Sequence, residues 1–325
     1  MIIDIHAHAL PQQTLEALRV ASAQFPGVEL RESDGKFQLS FAGNKATRPI
    51  MPGLRNTQPR LDWLSERNID VQLVGGWLDG FGYELEAEEG ADWSRFQNEH
   101  LMSVCAGSDA LIPLATVPMQ SGEHAAQVLQ EAFDDGMPGA MIGTQPSGSD
   151  GNLDAPSLDP FWQKAAELRM PIIVHPMFGS SDTRLDDFQM MNAIGRVTDL
   201  TIALARMLFS GHLTRFGDLI VVASTGGGAL PYALGRMMRN KDAFPDLVAD
   251  PHEGFAKLYF DSIVFETDTL NYLVDKVGAD KIMLGSDYPF PIGDPQPLGV
   301  IRESGLSQLQ QDAITGEVAR KLFRL

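Results

Sequence analysis

Eight short apolar runs recur along the chain, and segments with helical patterns separate most of them. The runs cover positions 2–5, 70–76, 110–118, 139–144, 171–176, 218–224, 257–261 and 281–287. Apolar positions with helical spacing lie at 58–68, 93–107, 123–135, 159–169, 192–210, from about 230, and at 268–277. Strands that are apolar nearly throughout are typical of a parallel sheet covered by helices. Eight such units predict an α/β fold with a closed (β/α)8 TIM barrel.

The segment after the first strand departs from this repeat. VELRESDGKFQLSF contains two alternating runs around Asp34-Gly35, a pair of residues favoured in two-residue hairpin turns. This alternation predicts a small β-hairpin within an insertion at about 26–57. No linker rich in serine or glycine divides the chain, so we expect a single barrel domain over residues 1–325.

Composition and charge narrow the classes of partner. The 325 residues are 44% hydrophobic and 21% charged, which is typical of a globular protein with a large core. The formal net charge of −18 argues against nucleic acid or an anionic membrane as a partner. The single cysteine, Cys105, cannot form an internal disulfide and is expected in the core. Since the sequence has no secretory or membrane-spanning pattern, we expect a cytoplasmic protein.

Four potential metal ligands lie at the predicted carboxyl ends of strands. His6 and His8 end the first strand two positions apart, so they project to the same side. His175 ends the fifth strand and Asp287 the eighth, at the edge where barrels of this kind carry their active sites. Two half-buried polar residues would explain the HAH pair alone equally well, but the four positions together favour zinc or manganese with water completing the coordination. The other histidines fall in helices or in connections that enter strands, where we expect structural or surface roles: His100, His124, His212 and His252.

Four segments also resemble those of a known family. DIHAHALP, PIIVHP, GGGALPYALGR and LGSDYPFPIG are similar to the matching segments of the amidohydrolase superfamily. The resemblance is to its branch of metal-dependent decarboxylases, typified by aminocarboxymuconate semialdehyde decarboxylase, and it covers residues 1 to about 323. It implies a distorted barrel, a homodimer and one divalent metal ion, zinc as first choice and manganese as second. The metal ligands that it implies are His6, His8, His175 and Asp287.

The resemblance also assigns two arginines to the substrate. Arg48 and Arg236 match positions that hold substrate carboxylates, with Arg236 reaching in from the neighbouring subunit. A guanidinium binds a carboxylate through two parallel hydrogen bonds and stays charged, so a small anionic carboxylate is the expected substrate. Considered without the resemblance, a surface salt bridge is the better explanation of either arginine.

One position departs from the family pattern. The sixth strand should end in a histidine before the glycines, but the sequence reads ASTGGGALP, with Thr225 at that place. Thr225 is therefore the candidate at this catalytic position, although a hydroxyl has no pKa suited to a general base. Either the metal alone lowers the pKa of the water far enough, or another residue serves, or the usual chemistry is lost. Among other residues Asp287 is the first choice for proton transfer, and Glu266 is a less favoured substitute that flanks the next helix. Met177 predicts an apolar pocket wall, and the segment 177–192 predicts a solvated loop that governs specificity.

These observations lead to three hypotheses. The first is a metal-dependent carboxy-lyase that decarboxylates a small unsaturated or aromatic carboxylic acid. The second is a metal-dependent hydrolase or hydratase of a related carboxylate, in which an activated water attacks the substrate. The third is a barrel that binds a metal or ligand but has lost turnover, because Thr225 replaces the histidine.

Overall fold

The computed structural model describes residues 1–146, 151–177 and 182–325. The strands are β1 Ile3–Ala9, β2 Val28–Ser33, β3 Lys36–Phe41, β4 Val71–Gly76, β5 Leu111–Pro113, β6 Ala140–Gly143, β7 Ile172–His175, β8 Val221–Ala223, β9 Tyr259–Asp261 and β10 Ile282–Met283. All eight predicted apolar runs overlap one of these strands, namely β1 and β4 to β10. The predicted hairpin is also confirmed, as β2 and β3.

The eight core strands close into a parallel barrel. One group is hydrogen-bonded in the order β1, β4, β5, and the other in the order β6 to β10. A parallel bridge between Ala115 and Ala140 joins β5 to β6, and a second bridge between Ala7 and Tyr288 joins β1 to the segment after β10. The amide of Ile5 also donates to the Leu284 carbonyl at 2.9 Å, so the last strand meets the first. The predicted (β/α)8 barrel is therefore confirmed.

Helices surround the strands. They are α1 Gln12–Ala21, α2 Pro52–Arg55, α3 Thr57–Arg67, α4 Ala87–Cys105, α5 Gly122–Asp134, α6 Asp159–Leu168, α7 Arg196–Phe209, α8 His212–Arg215, α9 Leu230–Ala243, α10 Pro251–Phe255, α11 Thr267–Val277, α12 Pro297–Glu303, α13 Gln308–Asp312 and α14 Val318–Leu322. Helix α4 begins six residues before the predicted position 93. Glu88 and Glu89 in its first turn favour a helix start there, whereas Gly90 weakens the helical pattern of the sequence. Within the described ranges, no helix is long and apolar enough to cross a membrane.

The hairpin has a core of its own. Asp34 and Gly35 both have positive φ, at 51° and 70°, which suits the turn type that favours the Asp-Gly pair. Phe37 and Phe41 of β3 pack in one buried cluster with Trp93 of α4. Full burial of one such aromatic side chain stabilises the fold by roughly 1.5–3 kcal/mol. The insertion is thereby fixed beside the carboxyl ends of the first barrel strands.

A buried polar network supports β1 from inside the barrel. The Asp4 carboxylate accepts hydrogen bonds from Gln72 Nε2 at 2.7 Å and from the Ser286 amide at 3.1 Å. Burial raises the pKa of Asp4, although hydrogen bonds from the Ser286 hydroxyl, Gln72 and the His6 amide act in the opposite direction. Arg60 donates to Gln72 Oε1 at 2.6 Å and also to the His8 carbonyl. The network therefore fixes the backbone of the strand that carries His6 and His8.

Candidate metal centre

The four predicted ligand residues come together at one end of the barrel. His6, His8, His175 and Asp287 are buried, and one ligand atom from each lies within 4.8 Å of the others. The distances to Asp287 Oδ1 are 3.0 Å from His8 Nε2, 3.6 Å from His6 Nε2 and 3.8 Å from His175 Nε2. Three imidazole nitrogens and a carboxylate oxygen therefore surround one point.

Strand ends position these side chains. His6 and His8 lie on one face of β1 because side chains alternate along a strand. His175 is the last residue of β7. Asp287 follows β10 with a φ of 59°, and its amide donates to the His6 carbonyl at 2.8 Å. This hydrogen bond brings the carboxylate from the last strand to the two histidines of the first.

The outer nitrogen of each imidazole faces an oxygen acceptor. His6 Nδ1 lies 2.7 Å from Asp261 Oδ2, His8 Nδ1 lies 3.1 Å from the Gly76 carbonyl, and His175 Nδ1 lies 2.8 Å from the Pro176 carbonyl. Such acceptors favour a proton on Nδ1 and leave the Nε2 lone pair available to a cation. Within the described part of the chain, the buried His6 Nε2 has no hydrogen-bond partner.

The ionisation of the cluster suits a cation. Burial lowers the pKa of His175 to about 3 and also lowers the pKa of His8. Burial would by itself raise the pKa of Asp287, but the contacts with His175 and His8 outweigh it and hold this pKa well below the usual range. Burial by itself would lower the pKa of His6, but its hydrogen bond and charge interaction with Asp261 outweigh burial and raise this pKa. A bound cation would compete with any proton on His6 Nε2, since neutral imidazoles and an ionised carboxylate are the forms that ligate zinc or manganese. The donor set and the unpartnered His6 nitrogen therefore fit a divalent ion.

Asp261 is a functional candidate that the sequence reasoning missed. It is fully buried at the end of β9, and beyond its contact with His6 it accepts from the amides of Gly226 at 2.8 Å and Ile263 at 3.2 Å. The signal was available, because the apolar run KLYFD ends in a carboxylate at the same edge as the other candidates. Asp261 thus links the His6 ring to the backbone segments that follow β8 and β9.

Thr225 lies at the start of the glycine turn. It has a φ of 50°, and it lines a groove of about 540 Å³ together with Tyr232 and Phe265. Gly228, with a φ of 62°, passes so close to helix α7 that a Cβ atom there would lie 2.8 Å from the Val197 carbonyl oxygen. Glycine is required at that position because of this approach.

The remaining predicted residues are not members of the four-residue cluster. Arg48 forms a two-pronged ion pair with Asp79, at 2.9 and 3.2 Å. Arg236 is exposed on α9, where it lines a separate groove with Met237. Glu266 is exposed at the N-cap position of α11, as the prediction of a helix-flanking role required. The other histidines lie in helices: His100 in α4, His124 in α5, His212 in α8 and His252 in α10.

Met177 covers the end of β6. Its sulfur would lie 2.3 Å from a Cβ atom built on Gly143, so the side chain packs directly on that glycine. The Met177 amide donates to Asp199 Oδ2 at 2.9 Å, and Asp199 also accepts from Gln145 at 2.9 Å and from the Thr144 hydroxyl. The apolar wall predicted at Met177 is thus held by the first turn of α7. Of the predicted loop at 177–192, positions 178–181 lie outside the described residues.

Arg196 is a second residue that the sequence reasoning did not select. It begins α7, and burial lowers its pKa to about 10, while the carboxylates of Asp287, Asp79 and Asp199 act in the opposite direction. The positive charge of Arg48 also lowers this pKa. Arg196 therefore stays a cation at neutral pH and lies within electrostatic range of the metal centre.

Comparisons with known proteins agree with this geometry. The sequence model of the family described as Amidohydrolase matches residues 3–325. The chain is 29% identical over 302 residues to 2-amino-3-carboxymuconate-6-semialdehyde decarboxylase of Dictyostelium discoideum, covering 91% of this chain and 83% of that protein. It is also 24% identical over 286 residues to gamma-resorcylate decarboxylase of Rhizobium radiobacter, covering 82% of this chain and 86% of that protein.

A solved structure shares the fold over the whole chain. Dihydroxybenzoic acid decarboxylase from Polaromonas sp. JS666 superposes with a TM-score of 0.81 at 18% sequence identity, covering 100% of this chain and 97% of that one. Its crystal structure contains manganese and the inhibitor 2-nitroresorcinol. At this level of identity the likeness supports the barrel fold alone.

Proposed function

Because this chain belongs to the amidohydrolase family, we propose that it is a metal-dependent decarboxylase of a small unsaturated or aromatic carboxylic acid. The observation that carries the proposal is the buried cluster of three histidines and one aspartate. The likeness to an aminocarboxymuconate semialdehyde decarboxylase, at 29% identity over 91% of the chain, supports the reaction class.

The proposed metal ligands are His6, His8, His175 and Asp287. A bound divalent ion would polarise the substrate oxygens and lower the pKa of water. The donor set suits zinc and manganese alike. Zinc was the first expectation, but the Polaromonas relative was solved with manganese, so the proposal includes both ions.

Decarboxylation replaces a carboxylate group on carbon by a proton, so the site needs a proton carrier. Asp287 is our candidate, because its carboxylate lies among the three imidazoles and its lowered pKa keeps it ionised before the substrate binds. It would start ionised, accept a proton from water or from a substrate hydroxyl, and deliver that proton to the carbon that releases carbon dioxide. Thr225 is not required for this transfer.

The substrate carboxylate would be held by arginine. Arg48 is oriented by its pair with Asp79, and Arg196 adds a partly buried positive charge near Asp287. Arg236 is exposed on α9, and its predicted role requires a partner subunit, so a homodimer is part of the proposal. A cytoplasmic location, which the single cysteine favours, also stays a prediction.

The first test measures metal content and carbon dioxide release together. Protein purified without chelators is expected to contain about one divalent ion per chain and to decarboxylate a member of a panel of picolinate, muconate and hydroxybenzoate acids. His175→Ala should lose both properties because a ligand is removed. His124→Gln, which changes a histidine of α5, is the matched control and should keep both.

Two results would contradict the proposal in different ways. A native chain that takes up neither zinc nor manganese would exclude the metal centre. A metal-loaded chain that releases no carbon dioxide from the panel would instead favour the barrel that binds without turnover.

A hydrolase or hydratase is the second candidate, favoured by Thr225 at the place of the family histidine. The two reactions differ in which solvent atom enters the product: oxygen for hydrolysis or hydration, and hydrogen on carbon for decarboxylation. Hydrolysis or hydration in ¹⁸O-labelled water places solvent oxygen in the product, whereas decarboxylation in D₂O places deuterium on carbon and leaves ¹⁸O out of the organic product.

A further inference from the structure

Ser224 carries a buried hydroxyl that has no role in the proposed decarboxylation. The residue is fully buried, and its Oγ has no hydrogen-bond partner within the described residues. A hydroxyl that is removed from water and left unpaired destabilises a protein, so native structures rarely keep one without a function or a ligand.

The sheet register places Ser224 inside the metal centre. Val174 of β7 pairs with Ala223 of β8, and the Ser224 amide donates to the Val174 carbonyl at 3.2 Å, so the next pair is His175 and Ser224. Ala223 likewise pairs with Phe260 of β9, which puts Ser224 opposite Asp261. Residues paired in adjacent parallel strands project to the same face.

Ser224 is therefore flanked by His175 on one side and by Asp261 on the other. Asp261 in turn contacts His6 Nδ1 at 2.7 Å. His6 Nε2 is also a buried atom without a hydrogen-bond partner among the described residues. Thr225, one position further, has left the strand conformation with a φ of 50° and lines the groove that also contains Tyr232 and Phe265.

We propose that Ser224, and not Thr225, supplies the hydroxyl that hydrogen-bonds to the water molecule entering this site with the metal ion. The inference rests on the metal centre of the proposed function. A serine hydroxyl can donate one hydrogen bond and accept others, but it does not ionise near neutral pH. Ser224 is thus a positioning residue, and the proton transfer remains with Asp287.

The test compares how much metal binding stabilises three proteins: the native chain, Ser224→Ala and Thr225→Val. Melting temperatures are measured after removal of metal and again with saturating manganese or zinc. Without metal, Ser224→Ala should melt about 1–4 °C higher than the native chain, because an unpaired buried hydroxyl is removed. With metal, this advantage should disappear because the variant lacks the new hydrogen bond.

The metal-induced rise in melting temperature should therefore be smaller in Ser224→Ala, and the metal dissociation constant should increase by about 10-fold. Thr225→Val should show the native rise and the native dissociation constant. A purely structural role for Ser224 would change both melting temperatures by the same amount, which would overturn the inference. Ser224→Gly, which also removes the hydroxyl and adds no metal ligand, serves as the second variant if Ser224→Ala does not fold.

Failure of this inference can be separated from failure of the proposed function. If the native chain binds metal and Ser224→Ala shows the same rise, the inference is wrong and the metal centre stands. If neither ion raises the melting temperature of the native chain and none is bound, the metal centre is wrong and the role of Ser224 falls with it.

Discussion

Asp261 shows how one side chain controls the geometry of a ligand. Its carboxylate fixes the ring of His6 and simultaneously holds the amides of Gly226 and Ile263. An imidazole that donates to a carboxylate is a stronger ligand through its other nitrogen, because the negative charge raises its basicity. The orientation of His6 therefore depends on a residue from β9, more than 250 positions away.

We predict that Asp261→Asn weakens metal binding by about 10–100-fold, because the amide removes the negative charge behind His6. Titration with manganese measures the dissociation constant, with the free ion quantified by its electron paramagnetic resonance signal. Glu266→Gln removes a nearby carboxylate that is exposed and should leave the constant unchanged. Equal binding by native protein and Asp261→Asn would show that His6 does not depend on this carboxylate.

The residues that the sequence revealed share a visible signal. His6, His8, His175 and Asp287 are residue types that ligate metals, and each stands at the end of an apolar run. Ser224 and Asp261 lie at strand ends too, but serine and aspartate at such places are common, and their importance depends on which strands are neighbours. That information is tertiary: the sequence shows that Asp261 ends an apolar run, but it does not show the contact of Asp261 with His6 or the position of Ser224 between His175 and Asp261.

Helix α7 is the element that connects the pocket wall to the barrel. Its first turn contains Asp199, which holds the amide of Met177 and the side chains of Thr144 and Gln145. These partners follow β6 and β7, so one carboxylate fixes the carboxyl ends of two adjacent strands. The position of the apolar wall therefore depends on the first turn of this helix.

We predict that Asp199→Ala lowers the free energy of unfolding by about 1–3 kcal/mol, because buried donors lose their acceptor. Once a substrate is identified, the KM should rise, since Met177 is no longer held against Gly143. Urea unfolding and steady-state kinetics measure the two effects. Asp187→Ala, at an exposed position before α7, is the control and should change neither quantity; an unchanged free energy in Asp199→Ala would contradict the prediction.

Elements with strong local signals were predictable. The hairpin of β2 and β3 was found because Asp34-Gly35 specifies a turn by its backbone preferences alone. Helix α1 was not predicted, because its short apolar face of Leu15 and Leu18 becomes meaningful only when it packs on the hairpin core. The start of α4 at Ala87 was also not predicted, because Gly90 interrupts the helical pattern of its first turns.

At the scale of the whole molecule, the metal centre lies across the closure of the barrel. Beyond the Ile5 contact, the closure contains the hydrogen bonds from the Asp287 amide to His6 and from the His8 amide to the Tyr288 carbonyl, each 2.8 Å long. Three of the four candidate ligands thus belong to the two strand ends that meet there. A bound ion would connect the first strand of the barrel with the last.

We predict that metal binding slows hydrogen exchange most strongly in β1 and in residues 282–288. The ion would add bonds across this closure, whereas the junction of β5 and β6 would gain none. Exchange of the native chain with and without manganese, followed by mass spectrometry of peptides, measures the difference. His175→Ala with manganese is the control, and equal slowing at both junctions would contradict the prediction.

The number and order of the barrel strands were evident from the sequence, because each run and helix is local. The closure was inferred only from the count of eight, and the contacts between residues 5 and 284 could not be read from either end of the chain alone. The organisation as a single domain stays a prediction.

The long sequence separation of His8 and Asp287 affects how the site forms during protein synthesis. These residues lie 279 positions apart, and synthesis proceeds from the amino terminus. A growing chain therefore carries its first three ligand residues for a long time before the carboxylate appears. Any product that stops before Ile282 lacks both the complete ligand set and the strand that closes the barrel, so such fragments would be left open and without their ion.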